Sequence, residues 1–171
     1  MRLLLAALLL AGLALVFAPE AAPAQGKPEI VSGTAEVTEG DLLSVGGQEL
    51  RLHGIDAPDQ GQTCKGGTGA DYDCFDKARQ ALDILTRGKT LECEIRATLP
   101  GQPKVGVCRA EGRDVAATMV AGGWAFAWRR LSDDYVTFER LAQSRRSGFW
   151  AGQAEAPWHW RDRQRAKAPR P

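Results

Sequence analysis

The chain has 171 residues, with 22 Lys or Arg against 21 Asp or Glu and a formal net charge of +1. A balance this even excludes bulk electrostatic attraction as the means of recognising a polyanion, so such a partner has to be met by local clusters of charge. The length suits one domain with a single sizeable core and calls for no second.

Residues 1–24 read as a signal peptide: Arg2 supplies the charged head, residues 3–17 an apolar core, and Ala22-Pro23-Ala24 a small-residue cleavage pattern. The competing reading is a retained anchor, because the apolar run approaches the lower limit for crossing a bilayer. Cleavage would leave about 147 residues beginning near Gln25, enough for one core. Four cysteines in an exported chain make disulfides the expectation, and a periplasmic or secreted location follows. Cys64 and Cys74 bracket the segment KGGTGADYD, and Cys93 and Cys108 each lie in a predicted strand, so local pairing is 64 with 74 and 93 with 108. No Cys-x-x-Cys spacing supports a zinc site.

From residue 28 to 37 the chain is β-rich and runs into an acidic glycine turn, Glu39-Gly40-Asp41. Leu43 and Val45 alternate with Ser44, and Leu50 and Leu52 with Arg51 and His53, as a half-buried hairpin turning at Gly46-Gly47 requires. A second turn, Asp56-Ala57-Pro58-Asp59, follows. Glu39, Asp41 and Asp56, with Asp59 closing the second turn, therefore lie with Arg51 within about twenty residues on a strand, turn, strand, turn plan, which can hold a hard cation against a phosphate. The bland alternative is a pair of capped turns with Arg51 as a surface ion-pair partner.

Residues 60–73 read as a polar, glycine-rich loop, with Asp71 or Asp73 capping a helix that carries Phe75, Ala78, Ala81, Leu82 and Leu85 and stops at Gly88. TLECEIRA and KVGVCRA then read as two strands joined by LPGQP. Asp114 caps a short helix stopped by Gly122-Gly123, and residues 124–128 form a short strand or buried turn. A last helix is expected to place Tyr135, Phe138, Leu141 and Ala142 on one face. From residue 162 to 171 the chain is basic and expected to be disordered, although its arginines and the nearby Trp158 and Trp160 could also stack bases and neutralise phosphates. Five β segments and three helices suggest an α+β architecture around a small barrel, over residues 28–161. His53 and His159 have no partner spacing for a hydrolytic triad.

Several blocks in order, EGD at 39–41, RLHGIDAPD at 51–59, KARQAL, GRDVAATMVAGGWAFAWRR, and YVTFERLAQSRRSGFWAG followed by PWHWR, resemble the thermonuclease family, the staphylococcal nuclease-like domain. The resemblance implies a five-stranded OB-type barrel with three helices, nucleic acid as substrate, and calcium-dependent cleavage of DNA and RNA phosphodiesters; the chain is expected to act as a monomer. It also implies that Asp41, Asp56 and the backbone carbonyl of Ala57 ligate calcium, that Arg51 contacts the scissile phosphate, and that Asp59, or Glu39, positions the attacking water.

Four positions depart from the family pattern. Glu39 stands for an aspartate, Leu42 for a threonine, Asp59 for a glutamate base, and Pro103 for a second phosphate-binding arginine. A carboxylate shortened by one methylene moves on the order of 1 Å, which can cost about a hundredfold in rate, and a transition-state arginine can be worth roughly 10³ to 10⁵. Weak nuclease activity is therefore one expectation. The alternative is an impaired module that binds nucleic acid or another anionic polymer.

Overall fold

The computed structural model describes residues 27–167. The expected signal peptide and residues 168–171 of the expected tail lie outside the described residues. Strands β1 (Ile30–Val37), β2 (Leu42–Val45) and β3 (Gln48–Leu52) form an antiparallel meander. Its second hairpin has a two-residue loop, Gly46-Gly47, with φ of 56° and 81° at the two positions, the conformation a tight hairpin of this hand needs and glycine supplies without strain.

Short strand β4 (Ile55–Asp56) leads to a ribbon of β5 (Thr63–Lys65) and β6 (Asp71–Asp73), where the sequence suggested an irregular loop. Helix α1 (Cys74–Thr86) is capped by Asp73, whose carboxylate accepts from the Asp76 N–H at 3.0 Å, and it buries Ala78 and Leu82. Strands β7 (Thr90–Ala97) and β8 (Lys104–Ala110) match the two segments read from sequence. β7 pairs with both β1 and β8, and β8 returns to lie parallel with β3 through Leu50↔Lys104 to Leu52↔Gly106. The order β3-β2-β1-β7-β8 thereby closes on itself as a five-stranded barrel, an α+β fold of OB type.

Leu43, Val45, Leu50, Leu52, Leu91 and the cystine Cys93–Cys108 fill the interior. Cys93 and Cys108 face each other directly across the β7–β8 ladder, and Cys64 is bonded to Cys74 where β5 meets α1. Both pairings are those expected from local spacing, and they suit a chain that matures outside a reducing compartment.

Beyond the barrel, β9 (Arg113–Asp114) leads to α2 (Val115–Ala121), capped by Asp114 through the Ala117 N–H at 3.0 Å. Strand β10 (Phe126–Ala127) pairs with β4, and α3 (Val136–Arg145), a 3-10 turn at Gly148–Ala151 and α4 (Pro157–Lys167) complete the chain. Two expectations need correction here. There are four α-helices among the described residues rather than three, because the segment from residue 162 to Lys167 continues α4 and is not loose chain. And α3 turns differently: Phe138 and Leu141 are exposed, while Glu139 is buried with Ala142. Glu139 goes inward because its carboxylate accepts from the Ala127 N–H at 3.0 Å and from Arg129 at 3.1 Å, so it satisfies a backbone donor that β10 leaves free. No helix of the described residues is long and apolar enough to cross a membrane.

Candidate functional site

Two acidic turns meet at one end of the barrel. The first is closed by the Thr38 and Glu39 N–H groups, which both donate to the Leu42 carbonyl at 3.0 Å. Gly40 lets this turn lie against α1 and the second turn: a Cβ there would stand 2.5 Å from the Ala78 Cβ and 2.7 Å from the Ala57 Cβ. The close approach brings Asp41 near Asp56, and both are buried, at 3 % and 6 % exposure.

Arg51 enters from β3, where it sits opposite Leu42. Its guanidinium donates to Asp41 at 2.6 Å and to Glu39 at 3.3 Å. The sequence left open whether Arg51 would meet Asp41 and Asp56. It meets Asp41 and Glu39, and Asp56 is taken by another residue.

That residue is Arg161, on α4. One guanidinium nitrogen donates to the Asp56 Oδ2 at 2.6 Å, and the other to Asp56 Oδ1 at 3.2 Å and Asp59 Oδ2 at 2.9 Å. Its placement has a local cause. Pro157, whose fixed φ suits a first helical turn, starts α4 and is buried. Trp158 then packs edge-on against Phe126, with ring centroids 6.1 Å apart. Phe126 lies opposite Asp56 in the β4–β10 pair, so Arg161, three residues and nearly one turn further along α4, reaches that carboxylate.

The entry to α4 is tied down by Gln62, which is almost fully buried. Its side-chain oxygen accepts from the Asp59 N–H at 3.2 Å and its amide donates to the Glu155 carbonyl at 2.6 Å. A two-way backbone bridge between Lys65 and Gln153, 2.9 Å each way, holds the same segment to β5.

Electrostatically the site is short of positive charge. Four carboxylates face two guanidinium groups. Burial pushes the Asp41 carboxyl up from 3.8 to about 6; Arg51 opposes this, and the charges of Asp56 and Glu39 add to it. Burial also raises Asp59, with Arg161 pulling the other way. Arg161 is itself held above the ordinary guanidine value, first by its hydrogen bonds to Asp56.

All six residues expected at the site, Glu39, Asp41, Arg51, Asp56, Ala57 and Asp59, thus lie in or beside these two turns. The cations near the position of the missing arginine do not join them: Lys104 pairs with Glu29 and Arg96 with Glu94. Sequence reading missed Arg161 and Gln62 as site residues. The available signal for Arg161 was a proline-started helix carrying Trp and Arg three residues apart.

No protein-family model matches the chain. Over 135 residues it is 33 % identical to the succinoglycan biosynthesis protein ExoI of Rhizobium meliloti (strain 1021), an alignment that covers 76 % of this chain and 70 % of that protein. The chain belongs to the ExoI family.

The donors suit calcium in kind, being oxygens on two buried carboxylates with a backbone carbonyl beside them and negative charge left over. They do not form a ready cage. Among the described residues no group of three or more His, Cys, Asp or Glu is arranged to hold a metal, and Asp56 has both oxygens on Arg161. A cation at this place has to share Asp56 with Arg161 or take it.

Proposed function

We propose that the chain is a calcium-dependent phosphodiesterase of low turnover, acting on nucleic acid as a monomer in the periplasm or outside the cell. The observation that carries this reading is the convergence of Glu39, Asp41, Asp56 and Asp59 around arginines at one end of the barrel. It is supported by the ordered blocks shared with thermonucleases. In this reading Asp41, Asp56 and the Ala57 carbonyl hold the cation, which when bound polarises a phosphoryl oxygen. Arg51, already oriented by Asp41 and Glu39, presents its remaining donors to the phosphate.

Asp59 is the better base. It is half-buried, its carboxyl is raised by that burial, and it is free of Arg51, so it can accept a proton from water once Arg161 lets go. Glu39 has one oxygen on Arg51 and serves mainly to hold that arginine.

A plasmid-nicking assay with calcium and with a chelator tests the proposal. We expect slow nicking with calcium, none with the chelator, and a loss of at least a hundredfold in Asp41→Asn. Calcium-independent nicking, or nicking unchanged in Asp41→Asn, would sink it.

A second reading is a binding module for an anionic polymer, and one observation favours it. A cleft of about 500 Å³ adjoins the site between β10 and α4, lined by Phe126, Trp128, Trp150, Trp158 and by Arg129 and Arg130. Two of its aromatic residues, Trp128 and Trp150, keep their indole N–H groups buried behind the cleft surface, without a partner among the described residues. Aromatic faces beside two arginines suit flat groups that carry negative charge. The relative is named for succinoglycan biosynthesis, which makes a polymer other than nucleic acid the first alternative ligand to try. Oligonucleotide or anionic-polysaccharide binding by gel shift, with no plasmid nicking in calcium, would favour this module.

A further inference from the structure

We infer that Arg161 is the second phosphate-binding guanidinium of the site, held in reserve by Asp56 and Asp59 and released when a divalent cation takes Asp56. The inference rests on the phosphodiesterase reading for what the freed arginine meets, but not for the exchange itself.

The geometry is that of a fork closed on the wrong partner. Arg161 places both terminal nitrogens on the two oxygens of Asp56, 2.6 and 3.2 Å away, with a further contact of 2.9 Å to Asp59. The same planar pair of donors matches two phosphoryl oxygens. Asp56 cannot serve Arg161 and a divalent cation equally, because Arg161 already lies across both of its oxygens and the two positive charges would repel across a few ångströms in a partly dry site.

Charge decides the direction. Glu39, Asp41, Asp56 and Asp59 exceed Arg51 and Arg161 by two negative charges, the amount that one divalent cation neutralises. Once it does so, Arg161 has lost its main anion and the next one within reach is a phosphate brought in by the cation. The side chain can make this move without disturbing the barrel, since about a third of it is exposed and its helix is anchored separately by Trp158 and Gln62. Nothing near residue 103 competes for the role. Pro103 lies beside the β2–β3 hairpin with Gln48 and Glu49, and its neighbour Lys104 is engaged by Glu29.

The test is calcium titration by calorimetry on the folded full chain, comparing wild type with Arg161→Gln, Arg161→Lys and Asp56→Asn. Oligothymidine binding is then measured with and without calcium. We expect Arg161→Gln to bind calcium at least tenfold more tightly than wild type, Arg161→Lys to fall between them, and Asp56→Asn to lose binding. With calcium present, Arg161→Gln should bind the oligonucleotide at least tenfold more weakly than wild type. Without calcium the two should be alike. Calcium affinity that is unchanged or lower in both Arg161 variants, or no calcium binding by any form, overturns the exchange. Tighter calcium in Arg161→Gln with no oligonucleotide bound by any form supports the exchange and overturns the phosphodiesterase reading instead.

Discussion

Asp41 shows how one buried carboxylate can work against the fold that creates it. Its folded-state pKa is raised from 3.8 to about 6, so the folded chain holds a proton that the unfolded chain releases. The contribution to stability is fully present below about pH 4 and is lost as pH rises through 6, amounting to roughly 3 kcal/mol at neutral pH. Urea unfolding in chelator should therefore show Asp41→Asn gaining on wild type by about 2–3 kcal/mol between pH 4 and pH 7.5. A gap that does not change with pH would mean that Arg51 compensates Asp41 fully. Gln62 carries the opposite sign. Replacing it with Leu strands the Asp59 N–H and the Glu155 carbonyl, and should cost about 2–4 kcal/mol for two lost buried hydrogen bonds. Denaturant midpoints measure this directly, and a loss below about 0.5 kcal/mol would place water in the role assigned to the amide. The two residues also differ in how readable they are. Asp41 meets Arg51 ten positions away, within one hairpin whose alternation is plain in the sequence. Gln62 meets Glu155 across 93 positions, and no local pattern marks such a contact.

At the level of elements, the site depends on the first acidic turn, α1 and the second turn touching at Gly40. A methyl group there has no flexible neighbour to push aside, since the nearest atoms are the β-carbons of Ala78 and Ala57. Gly40→Ala should cost about 1–3 kcal/mol by overpacking and should also separate Asp41 from Asp56. Thermal unfolding with and without calcium reads both effects: a lower midpoint and a smaller calcium-induced rise. A full calcium response in Gly40→Ala would show that the turns need not touch. The five barrel strands and the first two helices with their Asp73 and Asp114 caps were legible because each rests on short-range alternation or capping, whereas the β5–β6 ribbon was read as loop and the OB-type closure came with the family resemblance. Helix α3 was not. Its apolar residues suggested an inward Phe138 and Leu141, but the unpaired Ala127 N–H needed an acceptor and Glu139 supplied it. That demand arises only once β10 is paired with β4. For α4 the sequence showed basic and aromatic residues in a terminal stretch, which ordinarily stays loose. Phe126 gives Trp158 a surface to pack on, and that packing holds the helix.

For the whole molecule, the two disulfides divide the work. Cys93–Cys108 joins neighbouring strands inside the barrel. Cys64–Cys74 holds β5 to α1, and β5 in turn holds Gln153 and the approach to α4. Removing either pair by double alanine substitution should cost about 2–4 kcal/mol. Only loss of Cys64–Cys74 should open residues 152–167 to trypsin, whose sites crowd α4. Equal protection of that segment in both variants would mean that Trp158 and Gln62 hold α4 without help from β5. The long reach from Asp56 to Arg161, 105 positions, also has a consequence for how the molecule comes into being. Synthesis runs from the amino terminus, and all five barrel strands are complete by Ala110, some fifty residues before Arg161 is added. At that stage the chain carries all four carboxylates of the acidic cluster but only one of its two arginines. The last-made helix then acts as the closing counter-ion, so forms that lack α4 should lean on dissolved cations for the neutralisation that the finished chain supplies from within.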